Sequence, residues 1–229
     1  MTTLLLATRN AHKIAEIRAI LGERFRYLTL QDFPQAPAVI EDQTTFAGNA
    51  TKKTTQLAGW LAAQALSRGA QASAWWVLAD DSGLEVDALN GQPGVHSARF
   101  AALDSRSAGN TPDADNNAKL LRLLKDVPRE NRSARFRCVL ALTSVMAAPV
   151  ENASPVCYAD EFTLPTRLFD GVCEGRMLFA ANGRGGFGYD PLFAPEGFDL
   201  SFAELGEDVK NRISHRARAL ARLNVALGP

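Results

Sequence analysis

The 229-residue sequence predicts an α/β protein with a mixed sheet, and three observations carry that expectation. An apolar strand runs straight into a helix at the start of the chain. A long helical pattern then precedes a second apolar strand. Between residues 134 and 178 strands follow one another without a helix, the mark of an antiparallel or mixed portion.

The elements follow in order. Thr3 to Ala7 reads as a buried strand, and Thr8-Arg9-Asn10 leads into a helix whose Ile14, Ile17 and Leu21 recur at helical spacing up to a stop at Gly22. Tyr27 to Leu30 is a second short strand. Thr45 to about Arg68 is a long helix with Phe46, Ala50, Leu57, Leu61 and Ala65 on one face. Trp75 to Ala79 is a strand carrying the acid pair Asp80-Asp81 at its carboxyl end, and Leu84 to Leu89 continues in extended form to a turn at Asn90–Gly94. Thr111-Pro112-Asp113 predicts a helix start with a capping hydroxyl, and Leu120, Leu121, Leu123 and Leu124 follow on that helix. Ala134, Phe136, Cys138, Leu140 and Leu142 alternate with polar and outward positions, the clearest strand signal of the chain. Further strands are expected near Val156–Leu164 and Gly171–Leu178, then a glycine-rich loop from Asn182 to Pro191. A single helix from Glu207 to Leu227 carries an apolar stripe of Ile213, Ala217, Leu220 and Leu223. There is no internal repeat and no linker, so residues 1–229 read as one domain.

Composition narrows the function. Lys plus Arg equals Asp plus Glu, 25 each, so the net charge is zero and a broad electrostatic grip on nucleic acid or an anionic membrane is disfavoured. A small anionic ligand needs only a local cluster of cations. Cys138, Cys157 and Cys173 form no CxxC pair, which argues against zinc and suits a reducing cytoplasm. No stretch matches a bilayer span or a signal peptide.

Four motifs could carry chemistry. The junction Thr8-Arg9-Asn10-Ala11-His12-Lys13 places backbone N–H groups and a lysine at a helix start, which favours an anion, although Asn10 as a cap and Lys13 as a solvated residue is the plainer reading. No GxxxxGK[ST] run exists, so P-loop chemistry is disfavoured. Asp80 and Asp81 are like charges that repel unless a cation holds them. Hard oxygen ligands suit Mg²⁺, with the Glu41-Asp42 pair as a further donor. In the glycine-rich loop, Phe187 or Tyr189 could stack on a base and Asp190 could accept from ring N–H groups. Lys210, Ser214 and Arg218 fall near one face of the last helix with His215 and Arg216 beside it, and a solvated basic face is the default for such a run.

Together and in this order, ATRNAHK, ADDSGLEVDALNGQPGVHSARF, GGFGYDPLF and SHRARAL resemble the inosine triphosphate pyrophosphatase family over nearly the whole chain. The resemblance implies an elongated mixed sheet flanked by helices, two lobes around a central nucleotide-binding cleft, and a homodimer. It implies Mg²⁺-dependent hydrolysis of non-standard purine nucleoside triphosphates (ITP, dITP, XTP) to the monophosphate and pyrophosphate. By that resemblance Thr8 to Lys13 bind phosphate, with Lys53 a further phosphate contact. Glu41 and Asp81 bind the metal, and Asp81 is also the general base on water. Ser82 touches substrate, Phe187, Gly188, Tyr189 and Asp190 form the base pocket, and Lys210, His215 and Arg216 complete the binding set.

The chain departs from the family's pattern at Thr45-Phe46-Ala47-Gly48-Asn49, where Gly48 replaces a glutamate, and in the longer stretches Arg68–Ala74 and Ala148–Thr166. Mg²⁺ arriving with the triphosphate is the expected partner of the acid pair. The competing readings are a related pyrophosphatase directed at other modified nucleotides and a non-catalytic nucleotide sensor.

Overall fold

The computed structural model describes residues 2–67, 75–105, 109–145 and 165–228. β1 (Thr3–Leu6), α1 (Ala11–Leu21) and β2 (Arg26–Thr29) open the chain, followed by α2 (Phe46–Ser67) and β3 (Trp75–Val86). Next come the single turn α3 (Ala102–Ser105), α4 (Asp113–Leu123), β4 (Ser133–Ser144) and β5 (Thr166–Met177). β6 (Phe193–Pro195), α5 (Phe202–Ile213) and α6 (His215–Ala226) close it. Among the described residues the strands form one sheet, ordered β2-β1-β3-β4-β5-β6. β1 runs parallel to β2 and β3, and the pairs from β3 to β6 are antiparallel, so the expected mixed sheet is present.

Alternation of side chains along each strand gives the sheet two apolar faces. Leu4, Leu6, Leu78, Leu140 and Leu142 pack beneath α1 and α6, against Ile17, Leu220 and Leu223. Leu5, Ala7, Val77 and Ala79 point the other way, to Leu57, Ala58 and Leu61 of α2. Farther along the long hairpin, Leu84, Val86 and Phe136 join Leu120, Phe193 and Phe202 in a second core. α6 lies directly on β5: a Cβ built at Gly171 would stand 2.1 Å from the carbonyl oxygen of His215 and 2.6 Å from the amide nitrogen of Ala219.

Several expectations need correction. β3 does not stop at Ala79 but continues through the acid pair to Val86, because Asp80 and Asp81 pair with Leu140 and Val139 of β4; Asp87–Leu89 is then a 3₁₀ turn. The last helix is two helices. Ser214 has extended backbone (φ −66°, ψ 164°), and its hydroxyl accepts from the Ala217 N–H at 3.2 Å, capping α6. α5 begins at Phe202, five residues earlier than Glu207, behind a capping box of Ser201 and Glu204. The proposed stripe is therefore divided, with Leu220 and Leu223 in the first core and Ile213 against the second.

Thr111 does not cap α4; its hydroxyl donates to Asn116 Oδ1 at 2.7 Å. Leu120 and Leu124 are buried, but Leu123 faces solvent. β5 starts at Thr166 rather than Gly171, and the strand expected at Val156–Leu164 lies outside the described residues, as do residues 68–74 and most of 148–166.

Candidate active site

The acid pair resolves by geometry. Neighbouring residues on a strand face opposite sides of the sheet. Asp80 therefore points to the face covered by α1 and α6, and Asp81 to the face covered by α2. β1 ends at Leu6, opposite Leu78, so β3 outruns its parallel neighbour just before the acids and leaves a gap on that flank. That gap opens into a cleft of about 810 Å³, bordered by the β1–α1 turn, the loop before α2 and the turn after β3.

Asp80 is saturated by the protein's own groups. Arg216 Nε donates to Oδ2 at 2.7 Å, and Lys13 Nζ and the Ser82 hydroxyl donate to Oδ1 at 2.5 and 2.8 Å. The Cys138 thiol lies 3.3 Å from Oδ2. Burial alone would raise the pKa of Asp80, yet the charges of Arg216 and Lys13 hold it well below the usual carboxylate range. Arg216 also reaches Glu16 and donates to Ser82 Oγ at 3.0 Å. Its guanidinium is fully buried, and Asp80 and Glu16 push its pKa up against the opposing effect of burial.

Asp81 is held more lightly. Lys53 Nζ donates to Oδ1 at 3.1 Å and Asn49 Nδ2 to Oδ2 at 3.2 Å. Burial raises its pKa, and Lys53 and Lys13 offset that only in part. Lys53 also reaches Glu41 Oε1 at 3.3 Å, and the facing carboxylates raise its pKa despite burial. The cations that hold the pair are thus Arg216 and Lys13 for Asp80 and Lys53 for Asp81. Of the two acids expected to face Mg²⁺, Asp80 is already occupied on both oxygens by Arg216, Lys13 and Ser82.

At the β1–α1 turn, Asn10 caps α1, accepting from the N–H groups of His12 at 2.9 Å and Lys13 at 3.2 Å, and its own N–H donates to Thr8 Oγ1. Lys13 is not a solvated residue; it reaches across to Asp80. Thr8, Arg9 and Asn10 border the cleft, whereas Ala11 is exposed and outside it. The His12 side chain, expected with its neighbours to bind phosphate, is not among those bordering this cleft; its ring stacks on Phe187, centroids 5.2 Å apart and planes 11° from parallel.

The glycine-rich loop divides its residues. Phe187 is half-buried, with Lys210 Nζ 4.3 Å from its ring centre. Tyr189 is a core residue whose hydroxyl donates to the Ser97 carbonyl at 2.9 Å, so of the two aromatic candidates for stacking only Phe187 is placed for it. Asp190 is buried and already accepts from Lys210 at 2.5 Å and from the Phe187 N–H at 2.8 Å. Gly188 is tied to α4, its N–H donating to Asp113 and its carbonyl accepting from Asn117. His215 is buried and stacks on Phe136 at 4.8 Å; burial and the charges of Arg216 and Lys210 push its pKa well below the ordinary imidazole value. Its Nδ1 has no hydrogen-bond partner among the described residues.

Glu41 and Asp81 fit a hard divalent ion, since both carboxylates converge on one point, now held by Lys53. No group of three metal-ligating side chains forms among the described residues. Phosphate oxygens and water would have to complete such a shell.

The Ham1 family pattern matches residues 4–226. The chain belongs to the Ham1 family. Its similarity to the dITP/XTP pyrophosphatase of Geobacter sulfurreducens is 44% identity over 229 residues, covering 100% of this chain and 98% of the relative. To that of Opitutus terrae it is 42% over 225 residues, covering 95% of each. A Ham1 protein structure from Coxiella burnetii superposes with a TM-score of 0.75 at 32% identity, covering 99% and 98% of the two chains. One from Staphylococcus aureus gives 0.74 at 30%, with the same coverage. The motif resemblance is borne out at the level of the family.

Three residues of this Ham1 site escaped the sequence reading. Asn49 lies in the same TFAGN stretch as Gly48. Glu16 follows Lys13 by one turn on α1, and Cys138 pairs with Ser82 on the inward side of β4. Spacing and alternation could have pointed to the last two. Gly48 does no harm where it stands: its N–H donates to the Thr45 hydroxyl at 3.0 Å, and a Cβ there would meet Gln43 Cβ at 2.9 Å.

Proposed function

We propose that this Ham1 chain hydrolyses non-standard purine nucleoside triphosphates, dITP, ITP and XTP, to the monophosphate and pyrophosphate. The observation that carries the reading is the asymmetry of the acid pair. Asp80 is neutralised by two cations and fixed, while Asp81, with a raised pKa, borders a cleft lined by Arg9, Lys13, Lys53 and Arg99. A carboxylate poised to accept a proton among phosphate-binding cations is the arrangement phosphoryl transfer requires.

In this reading Asp81 takes a proton from a water whose oxygen bonds to the α-phosphorus. The bond from that phosphorus to the bridging oxygen breaks, and its electron pair leaves on pyrophosphate. Lys13 and Lys53 hold the phosphate chain, and Glu41 and Asp81 would hold Mg²⁺. When bound, the ion supplies further neutralisation of phosphate charge. Lys210, whose Nζ lies 4.3 Å from the Phe187 ring centre, serves the base in this reading. Hypoxanthine and xanthine offer a 6-oxo acceptor and an N1–H donor, and adenine reverses both. Donors at Lys210 and His215 with an acceptor at Asp190 match the first pattern, and a wrong base would leave buried polar groups unpaired.

The same reading treats residues 1–229 as one domain working in the cytoplasm as a homodimer. The free, buried thiols of Cys138 and Cys173 suit a reducing compartment. Light scattering should give about twice the 24.7 kDa chain mass. The deciding experiment is pyrophosphate release with Mg²⁺ from ITP, dITP, XTP, GTP, ATP and dTTP. Preference for ITP, dITP and XTP, lost in EDTA, is expected; equal rates on ATP and ITP would refute base selection. Asp81→Asn should lower kcat by about 10²–10⁴-fold with unchanged circular dichroism, and full activity in that variant would remove Asp81 as the base.

A further inference from the structure

We infer that His12 is a specificity residue for the base, forming the second aromatic wall of a slot whose first wall is Phe187. The purine would enter by parting the His12–Phe187 stack. This deepens the proposed function and rests on it for the identity of the ligand.

Three observations carry the inference. First, the two rings come from separate elements, α1 and the glycine-rich loop, and meet nearly parallel at 5.2 Å, His12 being exposed and Phe187 half-buried with Lys210 Nζ 4.3 Å from its ring centre. Second, His12 and Lys13 diverge by about 100° around α1. Lys13 turns to Asp80, so His12 faces away from the acids and toward the loop. Third, the stack borders a small cavity of about 210 Å³ that Gly186 and Lys210 also line, which supplies polar groups at the edge of the slot.

Carbon surfaces in contact stand about 3.5 Å apart, so a ring held between two others needs their planes about 7 Å apart. With centroids 5.2 Å apart the planes are no farther apart than that, so the walls must open by at least about 2 Å. Phe187 sits between Gly186 and Gly188, whose φ angles of 73° and 62° suit a loop without side chains to obstruct its swing, and side-chain rotamer changes of this kind are common on binding. Opening exchanges one aromatic contact for two, one on each face of the purine.

The test is calorimetric binding of inosine 5′-monophosphate and, separately, of inorganic tripolyphosphate, each with Mg²⁺, to the unaltered protein, His12→Ala and His12→Phe. His12→Ala should weaken the nucleotide about tenfold and leave tripolyphosphate unchanged, and His12→Phe should restore the nucleotide. Unchanged nucleotide binding in His12→Ala, an equal loss of tripolyphosphate, or no rescue by His12→Phe would overturn it. Failure of the proposed reaction would show elsewhere, as an absence of ITP hydrolysis by the unaltered protein.

Discussion

At the scale of single residues, the division of labour between Asp80 and Asp81 comes from environment rather than identity. Both are aspartates on one strand, both are buried, and burial raises the pKa of each; Arg216 and Lys13 outweigh that at Asp80, whereas at Asp81 Lys53 and Lys13 do not and the Glu41 carboxylate adds to the rise. A raised pKa in a general base moves the acid limb of kcat/KM to higher pH, since the base must be ionised to act. Lys53→Met removes a cation that lowers the pKa of Asp81, so the limb should shift further upward, as a pH–rate profile would record. The acid pair, Glu41 and Phe187 were legible as candidate site residues by type and position, and Lys13, read alone as solvated, only by the family motif it completes. Their partners were not. Nothing in the sequence says that Arg216 and Asp80, 136 positions apart, meet.

At the scale of elements, the errors have physical causes. Asp-Asp-Ser-Gly resembles a turn because polar residues satisfy turns locally. Here β4 and buried cations satisfy them instead, so β3 continues. The alternation in β4 was plain in its first half, where Arg135 and Arg137 lie opposite the buried Ala134 and Phe136; farther on Val139 and Ala141 are buried on the second side as well. The break at Ser214 was hidden because the apolar stripe continues across it, although serine is a good cap. That cap sets where His215 and Arg216 enter the sheet. Ser214→Ala should cost about 1 kcal/mol in urea unfolding and lower activity further than that loss of folding accounts for. Gly171 fixes the same helix from below. Gly171→Ala pushes α6 off β5 and should destabilise the protein by about 1–3 kcal/mol, with a fall in kcat as Arg216 withdraws from Asp80.

At the scale of the whole molecule, ion pairs run through the interior from Asp190 through Lys210, Glu16 and Arg216 to Asp80 and Lys13. Removing one member strands another in the dry interior. Arg216→Met should cost about 3–5 kcal/mol in chemical denaturation. Asp80 has a lower pKa folded than unfolded. Its stabilisation is complete above the unfolded value of about 3.9 and is lost as pH falls through the folded value. Urea midpoints should therefore drop in acid, and Asp80→Asn should flatten that arm.

The opposite facing of Asp80 and Asp81 has one more consequence. A slip of β3 by one residue against β4 that puts Ala79 in the place of Asp80 would leave the Arg216 guanidinium sealed in the protein without its aspartate, whereas the opposite slip would set Asp81 there instead. Mispairing of the central hairpin in that one direction is thus penalised by the same residue that anchors the site, and the second aspartate leaves the other direction unguarded by it.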